Sequence, residues 1–349
     1  MRNRAAIVGA GVSGLTCGVV FAEREWKVTI FADETGQQTT SAAAAAVWFP
    51  YDAEPAEKLI PWALTTYERL RELARDAQTG VSMIEIRQFT RTGEIPVPDW
   101  AKDLGACRIP TEVGAIDLPL RLGVGRERSD RFGEPPLPSP SATPVDDSPW
   151  RARTFASGYA LTVPLTDTTI YLDYLTDRFR KSGGTIQSTH INKPEEIPGD
   201  FNLIINCAGV GARELVHDPD LEPHRGQVAI VSKLDLRRAI VCDEAPLMYA
   251  IPRANDCVFG GTNSISDSRE PSSSDTDAIV SECSRVLGIE PPRVTAVKVG
   301  LRPFRKSGVR LEPDKLPDGR TVIHNYGHGG AGFTLSWACA EEVFAFAGG

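Results

Sequence analysis
Two apolar patterns alternate along the chain, and they predict its elements. Short unbroken apolar runs bounded by glycine, proline or charge read as buried strands. Apolar positions three and four apart read as helices. AAIV (5–8) is a run of the first kind, LTCGVVFAEREW (15–26) reads as a helix, and KVTIFAD (27–33) as a second strand. Strand, glycine turn, helix and strand in that order make a parallel βαβ unit. Helical spacing returns over 56–76, where Pro61 starts or interrupts the helix, and over 170–184, an amphipathic helix closed by glycines. FNLIINCAGVGA (201–212) is a buried strand that runs into a turn of small residues. GQVAIVS (226–232), LMYAIPR (247–253) and CVFGGT (257–262) are strands with no long helix between them, which predicts antiparallel pairing. A helix over 275–288, a strand over 321–327 and a closing helix over 333–348 complete the pattern. The fold class is α/β at both ends with a mixed or antiparallel sheet between them, and no internal repeat. Proline and serine mark 122–150 as a loop or insertion.

Composition narrows the function classes. A chain of 349 residues, 41% hydrophobic and 24% charged, can bury a substantial core as one large or two ordinary domains. A net charge of −8 with no basic stripe argues against nucleic acid as a partner. No apolar run reaches the length of a membrane span. The N-terminus is too rich in glycine for a signal peptide. Seven scattered cysteines without a CxxC pair read as reduced, buried small residues, which predicts a cytoplasmic protein. The five histidines lack metal-ligand spacing, so no metal site is expected.

Candidate chemistry sits at the two ends. Gly9, Gly11 and Gly14 form GxGxxG between a strand and a helix. The first glycine permits the tight turn, the second lets the backbone approach a pyrophosphate, and the third packs helix against sheet. The helix start at Val12 and Ser13 presents free N–H groups to phosphates. Asp33 follows Gly14 by 19 residues, where a ribose-binding acid is expected. Near the C-terminus, HNYGHGGAGFT (324–334) brings Gly327, Gly329, Gly330 and Gly332 before an apolar helix. Backbone this bare admits a large flat ring. A helix N-terminus there would stabilise negative charge on the N1–C2=O edge of a flavin, with the Thr334 hydroxyl as a further donor.

Six segments together carry a family resemblance: IVGAGVSGLT, TTSAAAAAVWFPY (39–51), INCAGVGARELVHDPDLEPHRGQV (205–228), YAIPR (249–253), GLRPFR with VRLE (300–312), and HNYGHGGAGFT. The chain resembles the D-amino-acid oxidase family of FAD enzymes over most of its length. Two positions depart from the pattern: Ala338 stands where glycine is usual, and Phe49 where a polar residue is common. The resemblance implies a discontinuous, Rossmann-like FAD-binding domain (1–50, 151–225 and 300–349) with a mostly parallel sheet. An α+β substrate domain (51–150 and 226–299) on a mixed or antiparallel sheet would complete the molecule. It implies FAD contacts from Thr39, Thr40, Ser41, Ala46, Val47 and Phe49, and from Gly329, Gly332, Phe333 and Thr334. Arg302 would grip the substrate carboxylate bidentately, the Tyr249 hydroxyl would bind it too, and the Gly330 carbonyl would accept from the amine. The implied reaction is hydride transfer from Cα of a D-amino acid to flavin N5 with O2 as acceptor. It yields a 2-oxo acid, ammonia and hydrogen peroxide, and it needs no acid or base in the transfer itself. His324 and His328 are expected to hold their loop by hydrogen bonds.

Two further expectations concern specificity and access. An acidic side chain would need a second cation; Arg213, Arg237, Arg238 and Arg253 are candidates but read as surface charges. Phe49, Leu247 and Met248 lean toward neutral or hydrophobic side chains. The linker KLDLRRAIVCDEAPLM (233–248) is short, with Ala245 where some family members place a second tyrosine, so no full lid is expected. The alternatives are a D-aspartate or D-glutamate oxidase, an oxidase of glycine or secondary amines, an FAD amine dehydrogenase, and a flavin-binding protein without turnover. A homodimer is compatible with any of them.

Overall fold
The computed structural model describes residues 3–50, 53, 55–111 and 155–348. The Pro/Ser-rich segment 122–150 lies outside them. In chain order the first elements are β1 (Arg4–Val8), α1 (Val12–Ala22), β2 (Lys27–Ala32), α2 (Thr40–Ala43), α3 (Ala56–Leu73), β3 (Val81–Thr90), α4 (Asp99–Asp103) and β4 (Cys107–Arg108). After the undescribed segment come β5 (Ser157–Thr166), α5 (Thr168–Lys181), β6 (Thr185–Ser188), β7 (Leu203–Asn206), α6 (Ala212–Leu215), β8 (Leu221–Ser232), β9 (Arg238–Cys242) and β10 (Met248–Pro252). The last are β11 (Asp256–Gly260), β12 (Ser264–Ile265), α7 (Ser273–Leu287), β13 (Val294–Arg305), β14 (Arg310–Lys315), β15 (Thr321–Tyr326) and α8 (Gly332–Phe346).

Two sheets organise these elements. A six-stranded sheet runs β14-β15-β7-β1-β2-β6, with all pairs parallel except β14 on β15. Its central strands are apolar and buried from Ala5 to Val8 in β1 and from Leu203 to Ile205 in β7, as a sheet covered on both faces requires. Helix α1 packs against α8 and α5 on one face, and Ala6, Val8 and Ile204 join Phe201 and Ile197 on the other. The second sheet has nine strands in the order β12-β8-β11-β10-β9-β3-β5-β4, with β13 pairing along β8. It is antiparallel except where β3 meets β9. The antiparallel set of β8, β10 and β11 agrees with the sequence pattern.

β5 and β13 lie in the nine-stranded sheet, although 151–225 and 300–349 were expected with the parallel one. Their apolar residues carry no sign of which sheet will receive them. Pro61 sits inside α3 and does not break it. It is the sixth residue of the helix, so it forgoes only the bond that an amide there would donate to the Glu57 carbonyl, and the rest of the helix continues to Leu73. β9 and β10 form an antiparallel pair joined by residues 243–247, so this stretch is a tight connection, as the short linker predicted.

Candidate active site
The glycine turn is built as its spacing demands. Gly9 has φ +104°, and a Cβ there would lie 2.4 Å from the Cys207 carbonyl oxygen. A Cβ on Gly14 would fall 1.9 Å from the Gly9 carbonyl oxygen, so Gly14 serves the packing of α1 onto the sheet. The first intrahelical bond of α1 runs from Leu15 N–H to the Gly11 carbonyl at 2.9 Å, which leaves the preceding amides without helical acceptors. One of them, Val12 N–H, donates to Ser41 Oγ at 2.9 Å. Asp33 follows β2 and meets His190 Nδ1, and that contact raises the histidine's pKa.

The second wall comes from residues 39–49 and the start of α8. Trp48 N–H donates to the Pro164 carbonyl at 2.8 Å and ties this stretch to β5. The Thr334 hydroxyl donates to the Phe49 carbonyl at 3.0 Å and accepts from Phe49 N–H at 3.2 Å. Its proton is thus engaged with the backbone rather than offered to a ring edge. Gly329 has φ +52°, and its N–H donates to the Pro303 carbonyl at 2.8 Å, which sets the loop before α8 beside β13.

The third wall is one face of the nine-stranded sheet. Tyr249 stands on β10 and Arg302 on β13, and glycines opposite make room for both. A Cβ on Gly260 would lie 2.0 Å from the Tyr249 ring, and one on Gly226 would lie 2.4 Å from Arg302 Nη1. Arg302 Nη1 donates to the Thr262 carbonyl at 3.1 Å. Burial raises the Tyr249 pKa, while the neighbouring Arg302 charge opposes the rise.

These walls enclose one cavity of about 540 Å³. It is lined by Gly9, Gly11, Val12, Ser13, Asp33, Thr39, Thr40, Ser41, Ala46, Val47 and Phe49 from the first half of the chain. Tyr249, Arg302, Gly329, Gly330, Gly332, Phe333 and Thr334 line it from the second half. Of the nominated residues only Gly14 stands behind the wall.

Some expectations need correction. Among the loop histidines, His324 does bond: its Nδ1 lies 3.4 Å from Asn206 Nδ2. His328 holds the loop through its carbonyl, which accepts from Ala331 N–H at 2.9 Å, while its buried Nε2 has no described partner. Burial lowers both imidazoles to a pKa of about 4. Arg253 is buried, not a surface charge; it is fixed to Asp256 by contacts of 2.7 and 2.8 Å. Arg213 pairs with Asp267, and Arg238 with Glu85. None of the four candidate arginines reaches the cavity. Met248 does not line it either; it packs into the core on the opposite face of the sheet.

Sequence reasoning did not single out Gly226, Gly300 or Asp243, all of which line the cavity. Gly226 and Gly300 pair across β8 and β13, a register with no local signal.

An adenine dinucleotide with a flat ring fits this donor set. The glycine turn admits no side chain, and a helix start and a ribose-height acid stand in sequence beside it. Asn325 and His328 line the same cavity, and each keeps a buried polar atom without a described partner. The FAD dependent oxidoreductase (DAO) family model matches residues 4–345. A D-amino-acid oxidase of Rubrobacter xylanophilus is 38% identical, with 99% of this chain and 96% of the relative covered.

The chain belongs to the D-amino-acid oxidase family.

Other members of the family are near it. A D-amino-acid oxidase of Streptomyces coelicolor is 36% identical over 97% of this chain and 94% of its own length. A human D-aspartate oxidase is 30% identical over 97% and 93%. The fold is shared with a crystal structure of glycine oxidase from Geobacillus kaustophilus, at a TM-score of 0.75 and 17% identity, covering 99% of this chain and 95% of that one. Membership makes FAD the cofactor. Among the described residues no helix is long and apolar enough to cross a membrane.

Proposed function
We propose that this protein oxidatively deaminates D-amino acids: substrate, water and O2 give a 2-oxo acid, ammonia and hydrogen peroxide. One observation carries the reading: Tyr249 and Arg302 reach, from β10 and β13, a single cavity whose other walls are the glycine turn and the start of α8. FAD bound there would supply the two-electron acceptor for the Cα hydride and the route of those electrons to O2. The protein's own part is orientation. The Arg302 fork matches a carboxylate, and its bond to the Thr262 carbonyl fixes the plane of the fork. The raised pKa keeps the Tyr249 phenol protonated at neutral pH, so it donates to the same carboxylate. The Gly330 carbonyl accepts from the neutral amine. Two fixed ends of the substrate set the direction of its Cα–H bond, and a bimolecular step becomes effectively unimolecular.

Purified protein should be yellow, should bleach anaerobically with D-alanine and not with L-alanine, and should release peroxide in air. Bleaching followed by slow reoxidation in air would mark a dehydrogenase that uses an electron carrier. A yellow protein inert to every amino acid would mark a flavin-binding role. A D-aspartate or D-glutamate oxidase is disfavoured, because none of the four candidate arginines joins Arg302 at the cavity, and Arg269, which also lines it, is paired with Glu34.

Three further proposals accompany this reading. The FAD-binding part holds the six-stranded sheet with α1 and α8, and the substrate part holds the nine-stranded sheet, so that 157–166 and 294–305 count with the substrate part. A cytoplasmic location is supported by seven cysteines, all free. A homodimer is the assembly to test, by sedimentation.

A further inference from the structure
The cavity wall carries one acid that the reaction above does not use. Asp243 lines the cavity with Tyr249 and Arg302 and is open toward it. Strand register puts it there. Val241 pairs with Tyr249 on one side and with Gln88 on the other. Val241 and Tyr249 face the cavity from those strands, and Asp243, the first residue after β9, lines it beside them.

Its surroundings leave it short of a counter-ion. Gln88, 4% exposed, donates from Nε2 to Asp243 Oδ2 at 2.8 Å and fixes the carboxylate from behind. Burial raises the Asp243 pKa and the Gln88 amide opposes the rise; no described cation contributes. The Asp243 charge raises the phenols of both Tyr159 and Tyr249, and the Arg302 charge lowers that of Tyr249. Tyr249 therefore feels both a cation and an anion. The neighbouring Glu244 does not share this role: Arg91 N–H and Thr92 N–H hold its carboxylate at 2.6 and 3.1 Å, and it does not line the cavity.

Resting on the proposed function, we infer that Asp243 selects D-amino acids with a cationic side chain. The substrate's α-carboxylate sits on Arg302, and its amine or guanidine end group pairs with the Asp243 carboxylate. Asp243 is exposed to the cavity and held there by Gln88, and an entering cation would meet it as a charge-assisted partner. Val241 and Leu247 line the wall on either side of Asp243 in the chain and suit the methylene stem of such a side chain. The lean toward neutral side chains drawn from Phe49, Leu247 and Met248 predicts the opposite preference, and the test below separates the two.

The test measures kcat/KM by peroxide release from the flavin-loaded full chain, with D-lysine, D-arginine and D-norleucine, for wild type, D243N and D243E. Wild type should favour the cationic substrates over D-norleucine by about tenfold or more. D243N should lower that ratio by about tenfold to a hundredfold, as expected for loss of a charged hydrogen-bond partner. D243E should keep it within a few-fold. An unaltered ratio in D243N, or a wild type that prefers D-norleucine, overturns the inference. If D243N does not fold, as its flavin spectrum reports, the wild-type and D243E ratios still decide. A protein that oxidises D-norleucine but neglects cationic substrates sinks this inference alone; one that oxidises no D-amino acid sinks the proposed function.

Discussion

Gly226→Ala isolates the position of Arg302 from the stability of the fold. A Cβ at 226 would lie 2.4 Å from Nη1 and 2.5 Å from Cζ and Nη2 of Arg302. Ordinary contact needs about 3.5 Å, so the guanidinium must retreat by about 1 Å. The obstructed atoms are the far end of a flexible side chain, and the backbone at 226 lies in a strand, so the displacement costs the fold little. It costs the reaction much more. A misplacement of about 1 Å can lower the rate about a hundredfold, or about 2.7 kcal/mol of transition-state stabilisation. The assay is steady-state peroxide release alongside urea denaturation. Gly226→Ala should lose about a hundredfold in kcat/KM, mostly through KM, with unfolding free energy within about 1 kcal/mol of wild type. Wild-type kcat/KM in a folded Gly226→Ala protein would refute the assignment of Arg302.

Three other outcomes follow from the same geometry. Gly14→Ala places a Cβ 1.9 Å from a backbone oxygen that cannot step aside, so the protein should lose at least about 3 kcal/mol or fail to retain flavin, read by urea denaturation and absorbance. His324 and His328 have folded pKa values of about 4, below the ordinary 6.5, so the unfolded chain binds more protons in between and stability falls as pH drops from 6.5 to 4. The loss is on the order of 3 kcal/mol for each fully titrated histidine, and replacing both by asparagine should flatten that part of the urea-midpoint profile; an unaltered slope refutes it. With the β9–β10 connection reduced to residues 243–247, product should leave without a large loop motion, and kcat should not respond to solvent viscosity; a kcat that falls in proportion to viscosity rules this out.

The N-terminal βαβ unit and its glycine turn were legible because their spacing and apolar runs are local. Gly14 is demanded by the Gly9 carbonyl five residues away, and the strand and helix beside the turn are continuous apolar runs; only the demand on Gly9, from Cys207 just past β7, comes from far along the chain. The antiparallel strands β8, β10 and β11 were legible for a similar reason, since they follow one another with short connections. β3, β5 and β13 were not. Their partners lie far along the chain: Ile84 pairs with Val163, and Leu301 with Arg225. Arg302 is a sharper case. Nothing in its neighbours separates a ligand-binding arginine from a surface ion pair, and only the likeness of GLRPFR to a family pattern singled it out.

Short-range chemistry in the chain by itself determined where a pyrophosphate can rest, which helices can aim their first turn at it, and which segments must be buried. Only the tertiary structure decided what faces the substrate. Val241, Asp243 and Tyr249 share a wall because β9 meets β10 in one register, and a shift of one residue would turn Asp243 to the other face. Register is set by partners distant in the chain and by the packing of whole sheets. The acid at 243 and the space at 226 therefore acquire meaning only when the strands are assembled.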